Sequence, residues 1–346
     1  MIHFESLEFD KFKDFLKNSF SSSFGVSYLD SLKPLNNLSE ILFEQSLLGE
    51  LLRIFSENND LKLPRDAEYS EFYNRLKDPH ASFYVRDFIV FKSFHTELNA
   101  LKRSILTVRG SSSLGSLLSK MFSFNETVEF IKSKISDDAR VRDDATEELF
   151  KIREQLGKTK KEINNIFSGI FSRGDCDKFI QEKLVKEFSG RFVTLCKTNY
   201  KQYIDGIVHS VSGSGLTFYV EPTIAVNLNN TYQELIMAED AEIKKILLEI
   251  LSKIKSNIYE VVETVKAFSK LAFIFESALV YNKYKYCVPE FGEDIVFEDV
   301  HHPLILLSEP SKSIPISFEM KKDIALSVIT GPNTGGKTAS VKSVGL

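Results

Sequence analysis

The chain is short of cysteine, of excess basic charge and of long apolar runs, and each shortage removes a class of protein. Its three cysteines, Cys176, Cys196 and Cys287, are far apart and odd in number, with no C-x-x-C pair and no histidine at zinc-ligand spacing. Free thiols in a reducing cytosol are the expected state. No stretch approaches the roughly eighteen apolar residues of a membrane span, and the opening MIHFESLEFD carries acids where a signal peptide carries bases and an apolar run. A cytoplasmic protein with no membrane partner is expected. The formal net charge of −4 gives no general attraction to polyanions, so any nucleic-acid contact has to come from a local patch. No nucleophile, base and orienting acid can be assembled, so no catalytic residue is assigned in this stretch. His209 lies in a β-rich segment without a second ligand at metal spacing and reads as a hydrogen-bonded structural residue.

With 346 residues and 43% hydrophobic content, the chain is expected to form two or more structural units. Over 7–106 apolar residues recur three and four apart (Phe9, Phe12, Leu16; Ile41, Leu47, Leu48, Leu51, Ile54), with breaks at Pro34, Pro64 and Pro79. A helical domain with a phenylalanine core is expected there. The run GSSSLGS, 110–116, reads as a turn or short linker. Residues 125–171 read as a long solvated helix or one arm of a coiled coil, rich in alternating charge, with Gly157 as a weak point costing roughly 1 kcal/mol relative to alanine.

The pattern then changes: RFVTLCK, DGIVHSVS and LTFYVE, between 191 and 221, are β-branched and aromatic and are separated by turn residues, predicting a small sheet. From 223 to 288 there is neither glycine nor proline, and apolar residues from Leu228 to Leu279 recur at a mean step of about 3.6. One unbroken helix over that span would run roughly 90 Å. The expected fold is therefore mainly α, with a helical core over 1–125, an ascending lever helix over 126–180 and a β-rich clamp over 181–222 at the lever tip. A descending lever over 223–288 follows, and the first part of an α/β P-loop ATPase domain occupies 289–346.

The last segment carries the most specific signal. An apolar, strand-like run over 324–329 feeds a turn and then Gly331, four residues, Gly336, Lys337 and Thr338, the G-x-x-x-x-G-K-[ST] spacing of a phosphate-binding loop. Gly331, Gly335 and Gly336 permit the backbone angles that turn successive N–H groups onto phosphate oxygens. Lys337 is placed to reach the terminal phosphates, and Thr338 to offer its hydroxyl to Mg²⁺ while the following helix points its positive end at the anion. Gly331, Pro332, Asn333, Thr334, Gly335, Gly336, Lys337 and Thr338 are thus the candidate ATP-binding residues. Only eight residues follow Thr338, so this stretch is expected to bind nucleotide without hydrolysing it.

Three segments in order, GIVHSVSGSGLTFYVEPTIAVNLNN, HHPLI at 301–305 and ITGPNTGGKT, together with LEFDKFKDFL near the start, resemble the MutS family of ATPases. Within it they resemble the bacterial MutS-two branch, whose members lack the mismatch-reading domain. The resemblance spans essentially the whole chain. It implies two levers, a clamp that touches branched or double-stranded DNA or the ribosome, and an ATPase head that uses ATP and Mg²⁺ and dimerises. It also implies roles in suppressing homologous recombination and rescuing stalled ribosomes, contact with rRNA, and an endonuclease domain of the Smr type further along. Base contact near Ile314 is implied only loosely, because SIPISFEM departs from the acid-bearing form. For the clamp, Arg191, Lys197 and Lys201 are the candidate phosphate contacts, although Glu187, Asp205 and Glu221 balance them. Two other readings stay open: a mismatch-repair ATPase without its reader domain, and a structural coiled-coil ATPase of SMC type, whose heads carry GxNGSGK-like loops instead.

Overall fold

The structure, a computed structural model, describes residues 7–57, 61–108, 110, 112–213, 215–324, 326–332 and 336–345, with the side chains of 200–202 outside the description. Helices α1 to α6 cover Phe9–Ser19, Ser23–Ser31, Leu38–Glu57, Ala67–Leu76, Val85–Leu106 and Ser112–Ser119. Then come α7 (Asn125–Lys134), α8 (Glu147–Phe171) and the single turn α9 (Cys176–Phe179). Strands β1 to β4 follow at Ile180–Phe188, Arg191–Lys197, Gly206–Val211 and Thr217–Pro222, leading into α10 (Val226–Ser256) and α11 (Ile258–Tyr284). The remainder is β5 (Ile295–Val300), α12 (Pro303–Ser308), β6 (Ile316–Met320) and α13 (Lys337–Gly345). The chain is mainly helical with a small antiparallel sheet, and it divides into two compact units. No helix among the described residues is long and apolar enough to cross a membrane. None of the three cysteines is in a disulfide.

The first unit holds Met1–Pro79, Ser93–Ser123 and Asn257–Leu346. Its core is aromatic: Tyr69 stacks on Phe94 with ring centroids 3.9 Å apart, and Phe268 of α11 meets Phe94 and Phe24 edge-on at 5.0 and 6.0 Å. Edge and offset contacts of this kind add to the burial of large rings. α11 runs along α2 and α3 and buries Val261, Val265, Phe268, Ala272 and Phe275 at helical spacing. The N-terminus of α2 is capped twice. Ser22 Oγ accepts from Gly25 N at 2.9 Å, and Asp66 accepts from Ser23 N and Phe24 N at 3.1 and 3.0 Å. The chain breaks between α1 and α2 at 20–22, a boundary without proline that periodicity alone did not mark.

The second unit holds His80–Lys92 and Phe124–Ser256. Its sheet has the order β1-β2-β4-β3, all antiparallel, at the C-terminal end of α8 and the N-terminal end of α10. α8 and α10 pack along each other. Arg153 Nε meets Glu239 at 2.8 Å, and Thr146, the N-cap of α8, bonds Glu242 at 2.9 Å. Near the sheet, Ile163 and Phe167 of α8 close over Phe192 and Ala225.

Four local expectations are corrected. Residues 125–171 are two helices, not one: 135–146 turn through an Ile135–Val141 bridge, with Ala139 at φ 62°, and side chains take over backbone carbonyls of the turn, Ser136 Oγ that of Arg140 and Arg153 Nη1 that of Val141. The GSSSLGS run enters α6, since Leu114, Leu117 and Leu118 lie at i, i+3 and i+4 and are buried. The 223–288 helix is interrupted at Asn257 (φ −108°, ψ 29°), giving helices of 31 and 27 residues in place of one rod. Asparagine, whose side chain competes for local backbone bonds, is a weak helix former. Finally, the strand expected at 324–329 is absent among the described residues. Ile324, Leu326, Val328 and Ile329 are exposed, and β5 and β6 pair with each other instead. An apolar strand forms only where neighbouring strands bury it.

Candidate functional site

In the candidate phosphate loop, 331–338, the described glycines have positive φ. Gly331 has φ 149° and Gly336 φ 75°, both in the region that side chains disfavour, with open space where a Cβ would point. Gly336 hands directly to α13, which starts at Lys337. The Lys337 ammonium donates to the carbonyl oxygen of Gly331, so it curls back over the loop from the helix start. Pro332, Gly336 and Thr338 are exposed and Lys337 half-buried, leaving the rim open to solvent. Asn333, Thr334 and Gly335 lie outside the described residues. Thr338 lies in the first turn of α13 and is exposed. Among the described residues no group of three histidines, cysteines or acids could hold a metal. The groups that the described residues bring to this helix N-terminus are a positive backbone dipole, one ammonium and one hydroxyl.

The sheet is organised around an acid that the sequence offered only as a counterweight to the clamp cations. Glu221, at the end of β4, has no exposed surface, yet three side chains converge on its carboxylate. Arg191 Nη1 donates to Oε1 at 2.7 Å, Asn229 Nδ2 to the same oxygen at 2.8 Å, and His209 Nε2 bonds Oε2 at 2.6 Å. Burial pushes the Glu221 carboxyl up, but the bonds from Asn229, His209 and Arg191, with the charge of Arg191, outweigh it and hold the pKa below the ordinary carboxylate range. Asn229, also fully buried, serves β2 as an extra strand would: its amide donates to Phe192 O and accepts from Phe192 N, both at 3.0 Å. These contacts tie α10 to the sheet.

This arrangement bears on the candidate clamp residues. Arg191 is only partly exposed and has internal partners in Glu221 and, at 2.6 Å, Asn230. Lys197 donates to the Asp177 carbonyl at 2.8 Å. Lys201 lies on the 3-10 turn Thr198–Tyr203, with its side chain outside the described residues. The structure thus puts Arg191 and Lys197 on the same strand but gives both of them protein partners. His209 is the hydrogen-bonded residue that its isolation in sequence suggested. His301 bonds Ser313 Oγ at 2.8 Å, whereas the buried His302 leaves Nδ1 without a partner.

No family model matches the chain. Individual relatives do. Endonuclease MutS2 of Aquifex aeolicus is 30% identical over 346 residues, which is 98% of this chain and 44% of the relative. Endonuclease MutS2 of Caldanaerobacter subterraneus subsp. tengcongensis is 29% identical over 349 residues, 99% of this chain and 43% of the relative. That of Clostridioides difficile is 26% identical over 347 residues, with 98% and 43% covered. The chain belongs to the MutS-two branch of the MutS family. It spans less than half the length of these curated MutS2 relatives, so the name endonuclease is a statement about those whole proteins.

Within the MutS-two chain, the structural residue missed by pattern reading is Asn229, which ties α10 to the sheet. The signal was present in LNN, a polar pair inside an otherwise apolar-periodic helix start, but a buried asparagine is legible only once its strand partner is known.

Proposed function

We propose that this MutS-two chain binds ATP with Mg²⁺ through 331–338 and couples that binding to a grip on nucleic acid at the sheet end of α8 and α10. The observation that carries the reading is the phosphate loop: complete spacing, positive φ at both described glycines, and Lys337 and Thr338 opening a helix. In this reading Lys337 exchanges its bond to Gly331 O for the terminal phosphates, the α13 amides receive the anion, and Thr338 holds Mg²⁺ together with phosphate oxygens. The paired helices act as levers, and nucleotide state shifts the sheet between gripping and released arrangements. The relatives' name, endonuclease, supports a nucleic-acid substrate; in this reading it is branched or double-stranded DNA or structured ribosomal RNA. The whole protein works as a cytoplasmic homodimer that joins through its ATPase heads, with hydrolysis and nucleic-acid cleavage supplied by the fuller length seen in those relatives.

The test is equilibrium binding of a fluorescent ATP analogue with Mg²⁺. Saturable binding is expected, with loss in Lys337→Ala. Binding that ignores Lys337→Ala would remove the loop from the reading. For the grip, Lys197→Glu is the informative substitution. Its charge lies on the sheet without entering the Glu221 cluster, and affinity for four-way DNA or ribosomes should fall and lose part of its salt dependence. Arg191→Glu reads the fold as much as the ligand.

A further inference from the structure

The helix that follows the phosphate loop has few visible anchors. Of the described residues of α13, only Ser343 is buried, and Val341 is more than half exposed. Two contacts connect α13 to the start of the chain. Lys342 Nζ lies 2.7 Å from Glu8 Oε2, and Gly345 lies so close to Leu7 that an added Cβ would stand 2.6 Å from Leu7 Cδ2. Glu8 is itself unusual. It precedes α1 in the left-handed region, φ 59° and ψ 30°, without a side-chain capping bond. A non-glycine residue held there is strained unless surrounding contacts fix it. Its other carboxylate oxygen takes the Lys11 ammonium, so one carboxylate bridges α1 and α13.

Geometry on α13 makes this bridge relevant to the loop. Thr338 and Lys342 are four residues apart, hence on one helix face one turn from each other. A restraint on Lys342 therefore restrains the face that presents Thr338 and the first turn of amides. The two side chains are about one quarter exposed, 24% and 28%, which shields the pair from solvent more than an open surface bridge. Hydrogen bonds from Lys11 and Lys342 hold the Glu8 carboxyl well down, to about 2, so the bridge stays charged through the neutral range. The buried His302 ring, with Nδ1 unpartnered, lies within the field of both Glu8 and Lys342.

We propose that Glu8 is a positioning residue for nucleotide binding: through Lys342 it holds α13 in the orientation that aims Lys337, Thr338 and the helix N-terminus at the phosphates. The proposal rests on the reading that 331–338 binds nucleotide. It is tested in the full-length protein with a fluorescent ATP analogue and Mg²⁺, with the melting temperature recorded for every variant. Glu8→Gln and Lys342→Gln should each weaken binding by roughly three- to fivefold, the scale of an ordered ion pair, with little change in melting temperature. Lys342→Arg should bind as wild type, Lys11→Gln should leave affinity unchanged, and the exchange Glu8→Lys with Lys342→Glu should recover affinity to within about twofold. Unchanged affinity in Glu8→Gln and Lys342→Gln, while wild type binds and Lys337→Ala does not, would overturn the positioning role and leave the nucleotide reading intact. Weakening that the exchanged pair fails to recover would overturn it too. Absence of binding in wild type would remove both.

Discussion

Replacing Glu221 is the most direct probe of how the sheet is held on its helices. Glu221→Ala removes a fully buried carboxylate that accepts from Arg191, Asn229 and His209 at 2.6 to 2.8 Å. Removing one partner of a buried charged cluster destabilises by about 3–5 kcal/mol, because what remains is an uncompensated charge. Two features here place the expectation at the lower end. Arg191 keeps Asn230 and is 29% exposed, so its guanidinium can reach water, and Asn229 keeps its bonds to Phe192. The working value is about 3 kcal/mol. Glu221→Gln retains an oxygen for Arg191 and Asn229 and an amide facing His209, losing chiefly the charge assistance, about 1–2 kcal/mol. The chain has two units, so one global transition is not the right measure. Hydrogen exchange at the amides of Val208 and Val220, which pair across β3 and β4, reads the sheet locally. The sign with pH follows from the depressed pKa. The contribution of Glu221 is present above the unfolded value near 4.3 and is lost as pH falls through the lower folded value. Equal protection in wild type and Glu221→Ala, or a Gln variant as damaged as the Ala variant, would refute the account of Glu221 as the hub.

Three further substitutions test separate parts of the fold. In Gly206→Ala the new Cβ would stand 2.5 Å from the Glu221 carbonyl oxygen and 2.8 Å from Val220 Cγ1; overpacking against backbone should cost about 1–3 kcal/mol and loosen β3, seen as faster exchange at Val208. Glu276 presents one carboxylate oxygen to Ser21 N, Ser21 Oγ and Ser22 N while its other oxygen is buried without a partner, and burial pushes its pKa up. Its contribution should be complete below the unfolded value near 4.3 and fade as pH rises through the raised folded value, so the stability of Glu276→Gln relative to wild type should improve over that window. An unchanged difference across pH would count against a raised pKa. His95, buried against Tyr69 with Nε2 2.9 Å from the hydroxyl, is held down to about 3 by burial. Unit stability should then fall by about 1.4 kcal/mol per pH unit below about 6.5, and His95→Gln should flatten that slope in denaturant titrations.

What could be read from residues alone depended on how local the cause was. The phenylalanine core of the first unit was legible because Phe24, Phe72 and Phe94 sit on apolar faces whose spacing is set within each helix, and all three are buried. β2, β3 and β4 were legible from β-branched and aromatic content between turn residues. β1 was not, because IQEKLVKEF is an edge strand whose exposed glutamates and lysines give the charge pattern of a solvated helix. The interruption at Asn257 falls in a span without glycine or proline, where breaker residues are no guide and the weak preference of asparagine decides the backbone.

The candidate sites divide along the same line. The candidate phosphate loop is a contiguous motif whose spacing is itself the signal, so Gly331, Gly336, Lys337 and Thr338 could be nominated before any fold was known. The sheet's charged cluster joins residues 191, 209, 221 and 229, whose proximity exists only after β2, β3, β4 and α10 have assembled. Counting charges there made Arg191 a free cation and Glu221 a mere counterweight. Geometry reverses the emphasis, since the acid is the buried centre and the arginine one of its supports. For a grip on nucleic acid this has a definite consequence. The cations that hold the sheet together are not the ones to mutate when measuring affinity, and a salt-dependent loss seen with Arg191→Glu is interpretable only if Glu221→Gln, which disturbs the same support without adding negative charge, leaves binding intact.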